Sequence, residues 1–191
     1  MRLFAALDLS AEASEELALW WQQAGLQLHA SEWRFVPREN WHLTLAFYGE
    51  VTGGEADRLV DDLSERLLDF QPLVLCLKGS GVFPSLARPR VIWAGVEDAH
   101  SPGRLAQLAR CCRLAGHATL RKRGAKEDPF RGHVTLARAR GLVSPLKPEM
   151  WQDFPPLPDV EWVADTVCLY RSVLRPEGAQ YRCIEEFRLK E

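Results

Sequence analysis

His42-Leu43-Thr44-Leu45-Ala46 and His133-Val134-Thr135-Leu136-Ala137 are nearly the same five residues, set 91 positions apart in a chain of 191. Both runs read as β-strands, rich in aliphatic and β-branched residues. In a strand, successive side chains point to opposite faces. His42 and Thr44 therefore share one face, with Leu43 and Leu45 on the other. His133 and Thr135 lie in the same way opposite Val134 and Leu136. A single strand histidine is usually a satisfied structural residue, and a strand threonine needs no explanation beyond β propensity. Two copies half a chain apart point instead to a pseudo-twofold arrangement, with the aliphatic faces in the core and both His-x-Thr faces on a common cleft.

Outward from the repeat, strands and helices alternate. Residues 2–8 read as a strand. Residues 11–28 read as a helix capped by Ser10, with Leu17, Trp20, Trp21, Ala24 and Leu28 on one face. Short strand 33–36 ends at Pro37 and precedes strand 41–48. Thr52-Gly53-Gly54 turns into a helix over roughly 55–69, and strand 72–77 follows. A turn-rich stretch holding Pro84 and Pro89 leads to strand 90–96, then a helix over 102–115 and the second motif strand, 132–138. Residues 145–158 are a proline-rich connection; strands 160–172 and 180–189 close the chain around Arg175-Pro176-Glu177-Gly178. The pattern is α+β with mainly antiparallel sheet, and no linker divides residues 1–191 into separate domains.

A net charge of −2 argues against holding nucleic acid by bulk charge alone. A local basic site is compatible with it. Between Arg110 and Arg140 nine basic residues stand against Glu127 and Asp128, and Arg121-Lys122-Arg123-Gly124-Ala125-Lys126 reads as an exposed loop before the second motif. That loop is either a guide for an RNA backbone or a solvated surface. No apolar run is long enough to cross a bilayer, and the first residues do not have the form of a secretory signal. The five cysteines (76, 111, 112, 168 and 183) have no metal-ligand spacing and suggest reduced thiols in the cytoplasm.

The repeat suits the opening of a cyclic phosphodiester. That reaction needs a base on the attacking water and an acid on the departing alkoxide, on opposite sides of phosphorus. Histidine serves either role near neutral pH. Each threonine hydroxyl can donate to a phosphate oxygen as charge builds there. A zinc site would need three or four ligands, and His29, His100 and His117 do not stand near either motif. No nucleophile-elbow motif accompanies the histidines. Phe130, in the approach to the second motif, is a candidate base platform, as is Phe83 to a lesser degree; Trp20, Trp21, Trp93 and Trp162 sit in core patterns. Arg131 has the face parity of His133 and is a candidate substrate contact.

With these motifs the chain resembles the two-histidine phosphoesterase superfamily, and within it the RNA 2′,3′-cyclic phosphodiesterases, also called 2′-5′ RNA ligases. The likeness includes Arg2–Asp8, Trp41–Val51, Arg90–Trp93, Phe130–Arg138 and Leu169–Ser172, followed by Gly178 and Tyr181. The resemblance implies a bilobal fold, antiparallel sheets with helices outside and the cleft between them. It implies hydrolysis of a terminal 2′,3′-cyclic phosphate to a 2′-phosphate, with His133 as base and His42 as acid at O3′, and no cofactor or metal. It also adds Arg138, whose strand parity is opposite to His133, as a substrate-side residue that a strand irregularity would bring to the phosphate. Gly132 departs from the proline usual at its place, which is expected to loosen the start of the strand. The expected partners are RNA ends or nucleotide cyclic phosphates, with no membrane, and the expected state is a monomer. The same chemistry on a small cyclic nucleotide or an ADP-ribose cyclic phosphate stays open. So does a non-catalytic nucleotide-binding module, though binding alone does not call for two proton-transfer groups.

Overall fold

The computed structural model describes residues 1–120, 129–152, 154–175 and 178–190. The Arg121–Lys126 loop and the centre of the Arg175–Gly178 turn lie outside the described residues. In chain order the elements are β1 (Arg2–Asp8), α1 (Ala11–Ala24), β2 (Trp33–Phe35), β3 (His42–Glu50), α2 (Gly53–Leu67), β4 (Leu73–Ser85) and β5 (Arg88–Asp98). Then come α3 (Arg104–Leu120), β6 (His133–Ala139), α4 (Pro148–Gln152), β7 (Glu161–Ala164), β8 (Thr166–Arg175) and β9 (Gly178–Arg188). The fold is α+β, with antiparallel strands in the order β7-β4-β5-β6-β3-β1-β8-β9 and β2 added against β6.

The two halves of the sheet meet where the repeated strands meet. β3 and β6 share one rung, Leu43 opposite Val134. β1 flanks β3 on one side as β5 flanks β6 on the other, which is the pseudo-twofold arrangement expected from the repeat. Leu43, Leu45, Val134 and Leu136 are fully buried, while His42, Thr44, His133 and Thr135 are half-buried. The core lies on the aliphatic face, where α3 packs on β3 and β5 and against α2.

Several boundaries differ from the sequence reading for physical reasons. α1 stops at Ala24, and Gly25–Gln27 tighten into a 3-10 turn. α2 starts earlier than expected because Thr52 and Glu55 form a reciprocal capping box. β4 runs on to Ser85, through the stretch read as turns; the prolines are tolerated because Pro84 and Pro89 oppose one another and neither supplies an N–H. The expected strand 160–172 is two strands. Trp162 pairs with Leu75 on β4, whereas Cys168 pairs with Ala6 on β1. Asp165 alone separates β7 from β8, and a one-residue link spans at most about 7 Å. Six strand spacings amount to about 29 Å. The sheet must therefore curve until its β7 end comes back to β8.

Gly132 corrects a further expectation. Its carbonyl accepts the Val96 N–H at 3.0 Å, prolonging the β5–β6 pairing. A Cβ at this position would stand 2.3 Å from the Val96 carbonyl oxygen and 3.0 Å from Leu105. Glycine lets the strand start tightly against β5 and α3, and no loosening results.

Candidate active site

The β3–β6 rung dictates the site. In an antiparallel pair anchored by Leu43 and Val134, His42 lies on the Thr135 side and His133 on the Thr44 side. Each histidine is oriented by the same local contact. His42 Nδ1–H donates to the Asn40 carbonyl at 2.8 Å, and His133 Nδ1–H donates to the Arg131 carbonyl at 2.8 Å. A carbonyl can only accept, so the proton sits on Nδ1 and Nε2 is left for chemistry. Among the described residues neither threonine hydroxyl has a protein hydrogen-bond partner, so both can serve a ligand.

Aromatic rings wall both histidines. Phe4 on β1 lies 4.8 Å from the His42 ring, and the Tyr181 edge on β9 lies 5.1 Å away. Phe83 meets His133 edge-on at 5.1 Å, with Trp93 at 6.2 Å. Trp93 can lie flat on the sheet because Gly81 has no side chain: a Cβ there would fall 2.2 Å from the indole. Burial among these rings is the largest influence on both imidazoles and lowers their pKa values below the usual 6.5. The charged surroundings then differ. Asp8, which opposes His42 across the β1–β3 ladder, favours the protonated form of His42, while Arg138 and His133 oppose it. Around His133 both charged neighbours, Arg138 and Arg131, oppose protonation. Asp8 is itself held by Tyr170, whose hydroxyl lies 2.8 Å from both carboxylate oxygens.

Arg138 reaches this face through a bulge. Thr135 opposes Trp93 and Ala137 opposes Ile92, so Leu136 is an extra residue on β6. After it the alternation is reset: Ala137 is buried and Arg138 is exposed on the cleft face. β3 carries the same device at Leu45, between Thr44 and Ala46, and it presents Phe47, 75% exposed, at the matching position. A groove of about 690 Å³ opens beside His42, bordered among others by Arg34, Phe35, Phe47, Arg138 and Tyr181. Its size is that of a small-molecule site.

Arg131 sits beside His133, its guanidinium 5.6 Å from the Trp93 ring centroid. Phe83 is at the site. Phe130, expected as a base platform, is half-buried and packs against the hydrophobic core, with the Arg113 guanidinium 5.4 Å from its ring centroid. Phe4, Asp8, Tyr170 and Tyr181 were not identified as site residues from the sequence. Strand parity places Phe4 and Asp8 on one face of β1, but only the pairing of β1 with β3 and β8 brings that face to His42. Among the described residues the histidines belong to no cluster of three potential metal ligands.

Two histidines with fixed tautomers, each with a threonine two residues on, facing one cleft of a pseudo-symmetric sheet, define a two-histidine phosphoesterase. Residues 7–93 match the family described as LigT-like phosphoesterase. The RNA 2′,3′-cyclic phosphodiesterase of Thermus thermophilus is 34% identical over 194 residues, covering 100% of this chain and 91% of that protein. The enzyme of the same name from Archaeoglobus fulgidus is 30% identical, covering 98% and 99%. The crystal structure of E. coli LigT complexed with 3′-AMP superposes with a TM-score of 0.78 at 27% identity, covering 100% of this chain and 98% of that one. The chain belongs to the LigT-like phosphoesterase family, together with these RNA 2′,3′-cyclic phosphodiesterases.

No helix among the described residues is long and apolar enough to cross a membrane.

Proposed function

We propose that this chain is an RNA 2′,3′-cyclic phosphodiesterase, a metal-independent hydrolase working as one two-lobed domain, with His133 as general base and His42 as general acid. The observation that carries this reading is the matched pair of His-x-Thr strands joined at the Leu43–Val134 rung, each histidine held by the carbonyl two residues before it. In the reaction, His133 Nε2 takes a proton from water as the water oxygen attacks phosphorus. His42 Nε2–H gives its proton to O3′ as the P–O3′ bond breaks. The 2′-phosphate product keeps its P–O2′ bond. Asp8 supports the acid role at His42, and Arg131 with Arg138 supports the base role at His133. Thr44 and Thr135 donate to the non-bridging oxygens, and Arg138 offsets their charge.

With a 5′-hydroxyl RNA end in place of water, the same displacement at phosphorus breaks P–O3′, forms P–O5′ and leaves a 2′-5′ linkage without ATP. Arg34 and Arg138, with the rings of Phe35, Phe47 and Tyr181, suit the groove to a nucleotide. The protein works in the cytoplasm as a monomer, in keeping with five free thiols. The test is product analysis with a short RNA ending in 2′,3′-cyclic phosphate and with free cyclic mononucleotides. A 2′-phosphate end on the RNA is expected. A 3′-phosphate product would reverse the regiochemistry, and turnover confined to mononucleotides would replace RNA by the smaller substrates.

A further inference from the structure

The last two strands bring three potential anionic donors, and β1 a fourth, beside the catalytic face. Thr44, Ala6, Cys168 and Glu186 form one row across β3, β1, β8 and β9. Cys168 is thus two strand spacings, about 10 Å, from Thr44. Cys183 joins this row through a bulge. Tyr170 opposes Cys183 and Leu169 opposes Glu185, which leaves Ile184 extra and turns Cys183 to the face of Glu186 and Cys168. As a result Cys168 Sγ, Cys183 Sγ and a Glu186 carboxylate oxygen all lie within 4.8 Å of one another. Asp8 Oδ2 is 3.7 Å from Cys168 Sγ and is steadied by the Tyr170 hydroxyl.

We propose that Cys168, Cys183 and Glu186 form a binding site for a soft divalent cation of the zinc class, with Asp8 or a water completing four-coordination. Charge supports this as strongly as distance. Among the described residues neither Asp8 nor Glu186 has an ion-pair partner, although both stand beside two thiols. A divalent cation replaces the proton on each thiol and answers all four groups at once. Two sulfurs with carboxylate oxygen are a zinc or cadmium donor set; magnesium and calcium take oxygen alone. The approach from solvent is through exposed Glu186 and half-buried Cys183, with Cys168 buried behind them. Binding there ties β9, which carries Tyr181 to the His42 ring, to β8. None of the ligands is assigned to the phosphate itself, so the role of the cation is structural.

The experiment is a titration of the reduced, full-length protein with Cd²⁺, following thiolate-to-cadmium charge-transfer absorption, with Zn²⁺ as competitor. One Cd²⁺ per chain is expected, displaced by Zn²⁺. The band should be lost in Cys183→Ser and in Cys168→Ser, and Glu186→Gln should weaken affinity by about tenfold or more, since even outer-sphere changes have that effect. Zn²⁺ should raise the melting temperature of the wild type and leave that of Cys183→Ser unchanged. Cys183 is half-buried, so its serine variant should fold even where the Cys168 variant does not. Absence of the band, or a band of wild-type affinity in Cys183→Ser, would overturn the proposal. None of these readouts depends on phosphodiesterase activity.

Discussion

Replacing Thr44 by valine removes one hydroxyl and leaves the shape of the side chain intact. Thr44 is half-buried, β-branched and without a protein hydrogen-bond partner among the described residues, and Thr135 has the same setting in the other half. Valine therefore loses nothing inside the fold, and stability should stay within about 0.5 kcal/mol of wild type. The reaction loses a hydrogen bond to charged phosphate oxygen, a contact of about 1.5–3 kcal/mol. At 1.36 kcal/mol per decade, that corresponds to a fall of roughly 10- to 150-fold in kcat/KM. Thr135→Val should fall by a similar factor, because the halves are pseudo-symmetric, and Thr44→Ser should keep most of the rate. The assay is steady-state hydrolysis of an RNA 2′,3′-cyclic phosphate, with urea unfolding as the control. A Thr44→Val enzyme that folds normally and keeps near-full kcat/KM would refute the placement of that hydroxyl on the phosphate.

Other consequences can be measured in the same way. Both imidazoles are lowered below 6.5 by burial, so kcat/KM should peak on the acid side of neutrality. Asp8 favours the charged form of His42, so Asp8→Asn should move the alkaline limb to lower pH and leave the acid limb in place; an unmoved alkaline limb would remove Asp8 from the acid's surroundings. Gly132→Ala forces a Cβ into the Val96 carbonyl and should cost about 1–3 kcal/mol, read as a lower urea midpoint at constant m; no shift would contradict the close approach. Turnover should survive exhaustive chelation, and loss restored by one added divalent ion would point to metal chemistry at the phosphate.

The repeat made the centre of the sheet legible. Period-two alternation over five residues placed His42, Thr44, His133 and Thr135 on one face, and the aliphatic residues between them could only be core. What the alternation hides is its own interruptions. The bulge at Leu136 decides whether Arg138 faces solvent or substrate, and it arises from pairing with β5, distant in the chain. The resemblance to known relatives carried Arg138 where parity opposed it. Residues 160–172 read as one strand because Asp165 is a single polar residue in a continuous pattern; only strand partners reveal that the chain changes neighbours there. Phe130 stands near His133 in the chain, but the packing of its half-buried ring on the core beside Arg113 is not written in the local pattern. The rings that wall the histidines come from β1, β4, β5 and β9, a gathering that local periodicity does not encode.

The division of labour between the histidines is tested most directly with a substrate whose leaving group needs no proton. His42→Ala and His133→Ala should each lower turnover of the RNA cyclic phosphate by about a hundredfold or more. The double variant should fall far short of the product of the two, because the residues act as a unit. With a phosphodiester bearing a weakly basic leaving group, the need for an acid disappears while the need for a base on water persists. The His42→Ala enzyme should then recover much of its rate, and the His133→Ala enzyme should stay inactive. Rescue of His133→Ala, with His42→Ala left inactive, would contradict the assignment and exchange the two roles.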